Sequence, residues 1–513
     1  MYYYTKLSFY VYFVVLNCIN IEFFLSNSNK NEKELRYVYY MFRHGARSPN
    51  TNKDVFGSSW NYKNILTSVG KRGQYIAGLE DRLRYKDYLN PIYSYKEVNF
   101  FSTEYDRTIE SLESRIQGLY SQELSKYDVL SDTQKKNSYP PIIVSSYLDN
   151  KLNDLSSSVI KHNTQFVSFN ILNKMYRYDL YEDKIVCPGY SNKKYRERND
   201  MKESAQKILS YFYSLKTSNN ISYLDILKKF YNFSHINLKN LDNYQIVYDF
   251  CDAYISNFYD GRDLFNSFDN KNILLKGDDL EKVKDNCLEF LRKDLFDYRF
   301  GEQNNYFIAK LDSTNKLREI LNDMKNRIKI DNKINNIKDT NNNFNIYSIQ
   351  NPKLKYYSAH DSNLASLINI VAYALQGKKI ENNIKVSYIS RAIFELKREV
   401  DSNNESKKYI YYVHVYFNNF LLFKEKFNIF NDKINKIILD KKDILSFCEI
   451  KDIMNQDIEY IEEENQTNYT IYIITISFLS LMLFIILISF SYYKNTKIKQ
   501  IMEGRSYINN NSK

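Results

Sequence analysis

Leu35 to Phe42 is a run of apolar and aromatic residues broken only by Arg36, the pattern of a strand buried on both faces of a parallel sheet. Thr67 then opens a helical stretch to about Tyr85, with Val69, Ile76, Leu79 and Leu83 at helical spacing and Thr67 as its N-cap. A second short strand, Val98 to Ser102, leads into Thr103-Glu104-Tyr105-Asp106-Arg107-Thr108 and another helix. Strand, loop and helix repeated in this way predict an open α/β fold, in which sites form at the carboxyl ends of the strands.

From residue 125 to 345 the pattern turns helical and irregular, and Asn322 to Asn345 is rich enough in Asn, Lys and Asp to read as a solvated loop. Leu354 to Ser358 returns as a strand, with His360-Asp361 just before a helix starting near Ser362. Ala392 to Leu396 and Tyr409 to Asn418 are further strands, and Asn418-Asn419 before Phe420 to Phe427 marks a hairpin. The expected fold is α/β, a mainly parallel central sheet flanked by helices. Its core is split into residues 26–124 and 346–450 by an inserted, mostly helical subdomain at 125–345.

Both ends of the chain carry their own patterns. Residues 1–25 combine Lys6 with an apolar run from Leu7 to Leu16, followed by Cys18 and polar residues near Ser26, which reads as a secretory signal peptide. Ile471 to Tyr493 is apolar except for Thr and Ser, and as a helix it is about 34 Å long, enough to cross a bilayer. Lys494, Lys497 and Lys499 follow it and Asp457, Glu459 and Glu462 to Glu464 precede it, so residues 494–513 form the cytoplasmic tail. The expectation is a single-pass type I membrane protein with an acidic stalk at 451–470 and the remainder lumenal or extracellular, in a lysosome-like compartment or at the cell surface.

Such a compartment is oxidising, and Cys187, Cys251, Cys287 and Cys448 form an even set for which three full pairings exist. Asn220, Asn232, Asn404, Asn465 and Asn468 each begin an Asn-x-Ser/Thr triplet, so the chain is read as a glycoprotein. Hydrophobic residues make up 43% of the 513, and the 49 Tyr and 32 Phe supply ample bulk for a core, which excludes disorder as the main state. The formal charge of +11 comes from Lys spread along the whole chain and not from one basic block, so no nucleic-acid partner is expected.

Only five histidines occur, and two of them, His44 and His360, stand in chemically meaningful surroundings. Arg43-His44-Gly45-Ala46-Arg47-Ser48-Pro49 places an imidazole between two guanidinium groups, beside a glycine that lets backbone approach a ligand. Arginine offers a planar fork of donors that stays charged at any working pH, which suits phosphate. A neutral imidazole held there can attack phosphorus while the guanidiniums take up charge on the equatorial oxygens, with no metal or cofactor required. Taken alone, the motif fits a buried histidine flanked by salt-bridged arginines better than it fits a catalytic one.

The motif does not stand alone, and with its companions the chain resembles the histidine acid phosphatases, a branch of the histidine phosphatase superfamily. Arg43-His44-Gly45-x-Arg47-x-Pro49 is similar to the stretch that carries the nucleophile in that family. Trp60, Leu66-Thr67-x-x-Gly70 and Gln74 fall where the family has its Leu-Thr-x-x-Gly-x-x-Gln helix start, and Ser102 to Thr108 resembles its Ser-Thr-Asp-x-x-Arg-Thr, with Glu104 in place of Asp. Tyr357-Ser358-Ala359-His360-Asp361 resembles its late His-Asp motif.

The resemblance implies that His44 is the nucleophile, that Arg43, Arg47, Arg107 and His360 bind phosphate, and that Asp361 protonates the leaving oxygen. It implies an acid phosphatase acting on phosphate monoesters. It also implies a disulfide of Cys187 with a late cysteine, here Cys448; the family's usual partner for the second cysteine is missing near Ile389 to Arg391, which leaves Cys251 with Cys287. Two other readings remain open. His360-Asp361-Ser362-Asn363 is closer to the phytase His-Asp-x-Asn, and a surface receptor could keep phosphate binding without turnover.

Overall fold

The computed structural model describes residues 34–50, 60–121, 130–137, 165–173, 199–231, 242–275, 277–301, 306–338, 352–380, 384–400 and 409–448, with Phe56, Arg177, Cys187 and Gly189. Two compact units divide the chain, Met1–Ile444 and Leu445–Lys513. Of the second, the described residues are the end of a short helix, Lys441–Cys448. The expected signal peptide, stalk, membrane span and cytoplasmic tail lie outside the described residues. Among those described, no helix is long and apolar enough to cross a membrane.

The strands are β1 (Glu34–Arg43), β2 (Val98–Thr103), β3 (Asn170–Leu172), β4 (Leu354–Ala359), β5 (Arg391–Val400), β6 (Tyr409–Phe417) and β7 (Phe420–Lys426). They form one sheet in the order β3-β2-β4-β1-β5-β6-β7. β3, β2, β4 and β1 pair in parallel, whereas β1 with β5, β5 with β6 and β6 with β7 are antiparallel. The sheet is therefore mixed, not mainly parallel. β6 and β7, joined by the tight Asn418-Asn419 turn with Asn418 at φ 53°, can only run antiparallel.

Alternation along β1 explains why the sheet is covered on both faces. Val38, Tyr40 and Phe42 pack with Tyr85, Leu112, Ile116 and Leu119, which places helices α1 (Ser68–Arg84) and α2 (Asp106–Leu119) on one face. Tyr37, Tyr39 and Met41 pack with Leu317, Ile320, Met324, Leu364 and Ile368 on the other. The helices α3 (Asn199–Ser214), α4 (Tyr223–Tyr231), α5 (Asp242–Tyr259) and α6 (Asp279–Lys293) enclose an apolar cluster of their own. A π-helical turn, Asp294–Arg299, continues α6 directly.

Two local expectations change. The polar stretch expected as a loop from Asn322 is helical as far as Lys338, within α7 (Phe307–Lys338), because Leu321, Met324 and Ile330 recur on a face that the sheet can bury. In α1 the predicted apolar stripe is not the buried face: Val69, Ile76 and Leu83 are exposed, while Gly70, Gln74, Ala77, Gly78, Asp81 and Arg82 face inward. Thr67 does cap this helix, its hydroxyl accepting from the Gly70 N–H at 3.1 Å.

Candidate active site

The parallel pairing fixes where the chemistry collects. Phe42 and Ser102 both stand opposite Ser358, so β1, β4 and β2 end abreast. The residues that follow, His44, His360 and the turn bearing Arg107, therefore leave the sheet from one edge. Arg43 and His44 are locked there through backbone, the Arg43 N–H donating to the Ser390 carbonyl at 2.8 Å and the His44 N–H to the Ala359 carbonyl at 3.1 Å. Gly45 is required by space: a Cβ on it would lie 2.5 Å from the carbonyl oxygen of Gly70.

The His44 ring has one possible orientation of its proton. Its Nδ1 lies 2.9 Å from the Gly45 carbonyl, which can only accept, so Nδ1 carries the hydrogen and the Nε2 lone pair is free. Burial, and then the charges of Arg107, Arg43 and Arg47, hold the imidazole well below its usual 6.5. These charges keep the His44 ring neutral, with the Nε2 lone pair unshared.

His360 stands beside it, ring centroids 5.7 Å apart. Arg107 Nη2 donates to its Nδ1 at 3.3 Å, so Nε2 carries the proton and donates to Thr103 Oγ1 at 3.0 Å. Thr103 Oγ1 in turn lies 2.8 Å from Thr108 Oγ1. Burial and then Arg107 also depress the pKa of His360, so this ring too is neutral. The imidazole orders Arg107, and Tyr105 lies against both, 4.4 Å from the guanidinium and 5.1 Å from the His360 ring.

The three arginines of the cleft share a pattern of satisfied and unsatisfied donors. Arg43 gives Nη1 to the Val386 carbonyl at 2.8 Å and Nη2 to Asp361 at 2.6 Å. Arg47 gives both Nη atoms to Asp252, at 3.3 and 2.8 Å, and Nη1 also to the Ser48 carbonyl at 3.0 Å. In Arg43, Arg47 and Arg107 alike the buried Nε has no hydrogen-bond partner among the described residues. Arg107 forms no ion pair among the described residues; burial, then Arg47, push its pKa down to about 10. It remains a cation, and the strain is that of uncompensated positive charge, which an anion relieves.

Asp361 opens helix α8 (Asp361–Gln376), with one carboxylate oxygen accepting from the Ser362 N–H at 2.9 Å. Burial opposes its ionisation, but Arg43 and Arg47, with Arg299 farther out, outweigh that and hold the carboxyl at about 2. In the free protein it is a carboxylate. Any proton that Asp361 gives to a leaving group must therefore arrive with the ligand that takes over the guanidiniums.

A buried polar layer supports this edge from below. Gln74 Nε2 donates to the Arg43 carbonyl at 2.9 Å, and its Oε1 accepts from Arg115 at 3.0 Å. Arg115 pairs with Asp81 at 2.8 Å, and Asp81 accepts from Tyr40 at 2.7 Å and from Arg391 at 3.2 Å. Gln74 belongs to the quoted motifs. Arg115 lies two turns beyond Arg107 on one helix, a spacing that could have signalled it, whereas Asp81 and Asp252 left no sequence mark.

All six expected residues of the cleft, Arg43, His44, Arg47, Arg107, His360 and Asp361, thus come together. Glu104 is exposed and takes no part in holding Arg107 by any ion pair among the described residues. Trp60 lies against Arg262, whose guanidinium is 3.5 Å from its ring. Cys187 and Cys448 are both disulfide-bonded. Cys251 and Cys287 are free thiols, against the expected bridge. They meet between α5 and α6 deep in the apolar cluster, where a thiol packs as a small hydrophobe, and a Cys251–Cys287 hydrogen bond joins them.

The sequence model of the histidine phosphatase superfamily (branch 2) matches residues 52–418. The chain belongs to that superfamily. The match takes in Arg107, His360 and Asp361 and begins beyond His44, whose place in the site rests on the geometry above. Lysosomal acid phosphatase of Xenopus laevis is 41% identical over 95 residues, 18% of this chain and 22% of that protein. Human prostatic acid phosphatase is 34% identical over 105 residues, 20% of this chain and 27% of that protein. The chain thus spans about a quarter of the length of these curated relatives. Among solved structures, Hafnia alvei phytase bound to myo-inositol hexakis sulphate aligns over 81% of this chain and 98% of its own, at 13% identity and a TM-score of 0.46.

Proposed function

We propose that the protein is an acid phosphatase that hydrolyses phosphate monoesters through a phosphohistidine on His44. One observation carries this reading: a neutral imidazole with its Nε2 lone pair free lies in a cleft with three arginines whose Nε donors are unsatisfied. The Nε2 lone pair attacks phosphorus in line with the ester oxygen, forming the N–P bond as the P–O bond breaks, and Asp361 passes a proton to the departing alkoxide. Water then attacks the phosphohistidine, giving its proton to the Asp361 carboxylate, which hands it to the departing phosphate, so that both His44 and Asp361 are restored.

Asp361 obtains its proton from the substrate. A monoester monoanion brings one acidic hydrogen, and once its oxygens occupy Arg43 and Arg47 those charges no longer hold the carboxyl at about 2. Rapid acid or base quenching of the purified full chain with a labelled monoester tests the intermediate. Label on protein that survives base and is lost in acid is the expected result, and its absence during demonstrable turnover overturns the mechanism.

We place this chemistry on the lumenal or extracellular side of a membrane, with residues 471–493 as a single span; the apolar run there and the lysines after it support this reading. A chain truncated before residue 466 is expected to be released in soluble, active form, and retention in the membrane fraction would exclude the topology.

A further inference from the structure

Arg47 needs an explanation that the strand ends do not supply. Its guanidinium meets Asp252 end on, through both Nη atoms, and Asp252 Oδ2 also accepts from the Asn50 N–H at 2.8 Å. Nη1 is further engaged by the Ser48 carbonyl. What is left of the five donors is Nε–H and the Nη2–H beside it, the side-on fork that fits two oxygens of a phosphate. Arg47 and Asp252 are both buried, so neither charge is shared with bulk water.

Asp252 belongs to α5, in the helical region, and not to any strand end. One turn farther along the same helix face, Ser256 Oγ lies 3.2 Å from the Tyr388 hydroxyl, and the Tyr388 ring lies 4.6 Å from the Arg43 guanidinium. Helix α5 thus touches, directly or through one side chain, both arginines that flank His44.

We propose that Asp252 is a positioning residue for catalysis: it occupies the outer fork of Arg47, turns the inner fork to the transferring phosphoryl group, and ties the loop after β1 to α5 at Asn50. The inference rests on the phosphatase reading of the cleft. It also makes the helical region a working part of the site, since removing one carboxylate there leaves Arg47 buried, unpaired and free to rotate. A misplaced guanidinium costs transition-state stabilisation out of proportion to its effect on folding.

A double-mutant cycle tests it, with p-nitrophenyl phosphate turnover and competitive inhibition by inorganic phosphate as readouts and circular dichroism to confirm folding. Asp252→Ala is expected to lower kcat/KM about tenfold to hundredfold, mostly in kcat, with Asp252→Asn losing less because it keeps one hydrogen bond. In an Arg47→Ala background the same change should cost less than about twofold, because its only route to the reaction is gone. An equal loss in both backgrounds overturns the proposal, as does an Asp252→Ala enzyme within about twofold of wild type. If Asp252→Ala does not fold, the cycle is read with Asp252→Asn. A wild-type chain that neither turns over a monoester nor binds phosphate defeats the phosphatase reading and this inference together; turnover with an additive cycle defeats this inference alone.

Discussion

The loops leaving β1, β2 and β4 and the helices between Asn199 and Lys293 both contribute to one cleft, but they contribute different things. The strand ends supply the groups to which the proposed reaction assigns contact with phosphate: His44, the three guanidiniums, His360 and Asp361. The helices supply Asp252 and Ser256, which touch only those groups or their neighbours. Positive charge is crowded at the strand ends and partly neutralised from the helices, and Arg107, which has no such partner, is the arginine whose pKa falls. Catalytic reach is short and must sit where three backbones end together, whereas charge compensation can be delivered from another layer.

The sharpest way to break this comparison is at the nucleophile. His44→Ala removes the lone pair and no arginine, so turnover is expected to fall by at least about a thousandfold while inorganic phosphate still binds. A titration of phosphate followed by phosphorus NMR checks the second half. Robust activity in the alanine variant would move the chemistry away from the end of β1.

Asp361 separates substrates instead of abolishing all of them. Asp361→Asn is expected to cut hydrolysis of alkyl phosphates by about a hundredfold to ten-thousandfold, and to affect p-nitrophenyl phosphate far less, since that leaving group needs little protonation. The pH profile sharpens the point. A monoester loses its second proton near pH 6, so kcat/KM should fall by about tenfold per unit above that, as the monoanion that delivers the proton disappears. No loss is expected on the acid side through the ordinary histidine range near pH 6.5, because His44 and His360 are both held well below 6.5. A rise of activity through pH 6 to 7 would mean that His44 titrates as an ordinary imidazole, and equal losses on both substrates would make Asp361 a helix-capping residue only.

How far the sequence could be read follows the same division. The strands of the core were legible because burial on both faces leaves an apolar run, and the three cleft motifs because together, in order, they resemble those of the histidine acid phosphatases. Asp252 was not legible: it sits mid-helix among aromatic residues, and only the fold brings it to Arg47. The mixed sheet escaped because strand runs do not state direction. The Cys251–Cys287 pair misled because an even cysteine count in a chain expected to be lumenal and a pair of apolar-packed thiols look the same on paper.

Helix α1 gives the smallest and most discriminating test, because the sequence placed the helix correctly and turned it the wrong way. Its apolar stripe faces solvent, with Ile76 55% exposed, while its inward face carries Gln74, Gly78 and Asp81 toward the layer beneath His44. Ile76→Ser removes no buried contact and should change stability by no more than about 0.5 kcal/mol, with kcat/KM unaltered. Gly78→Ala adds one methyl group where a Cβ would lie 2.1 Å from the Arg115 carbonyl oxygen, so it must push α1 from α2. Overpacking of that kind costs about 1–3 kcal/mol, and it should lower activity too, because Arg115 holds Gln74 and Gln74 holds the Arg43 carbonyl. Thermal unfolding and p-nitrophenyl phosphate kinetics on the two variants decide the matter. If Ile76→Ser proves the more damaging of the pair, the apolar stripe is the buried face and the polar layer under the nucleophile is misassigned.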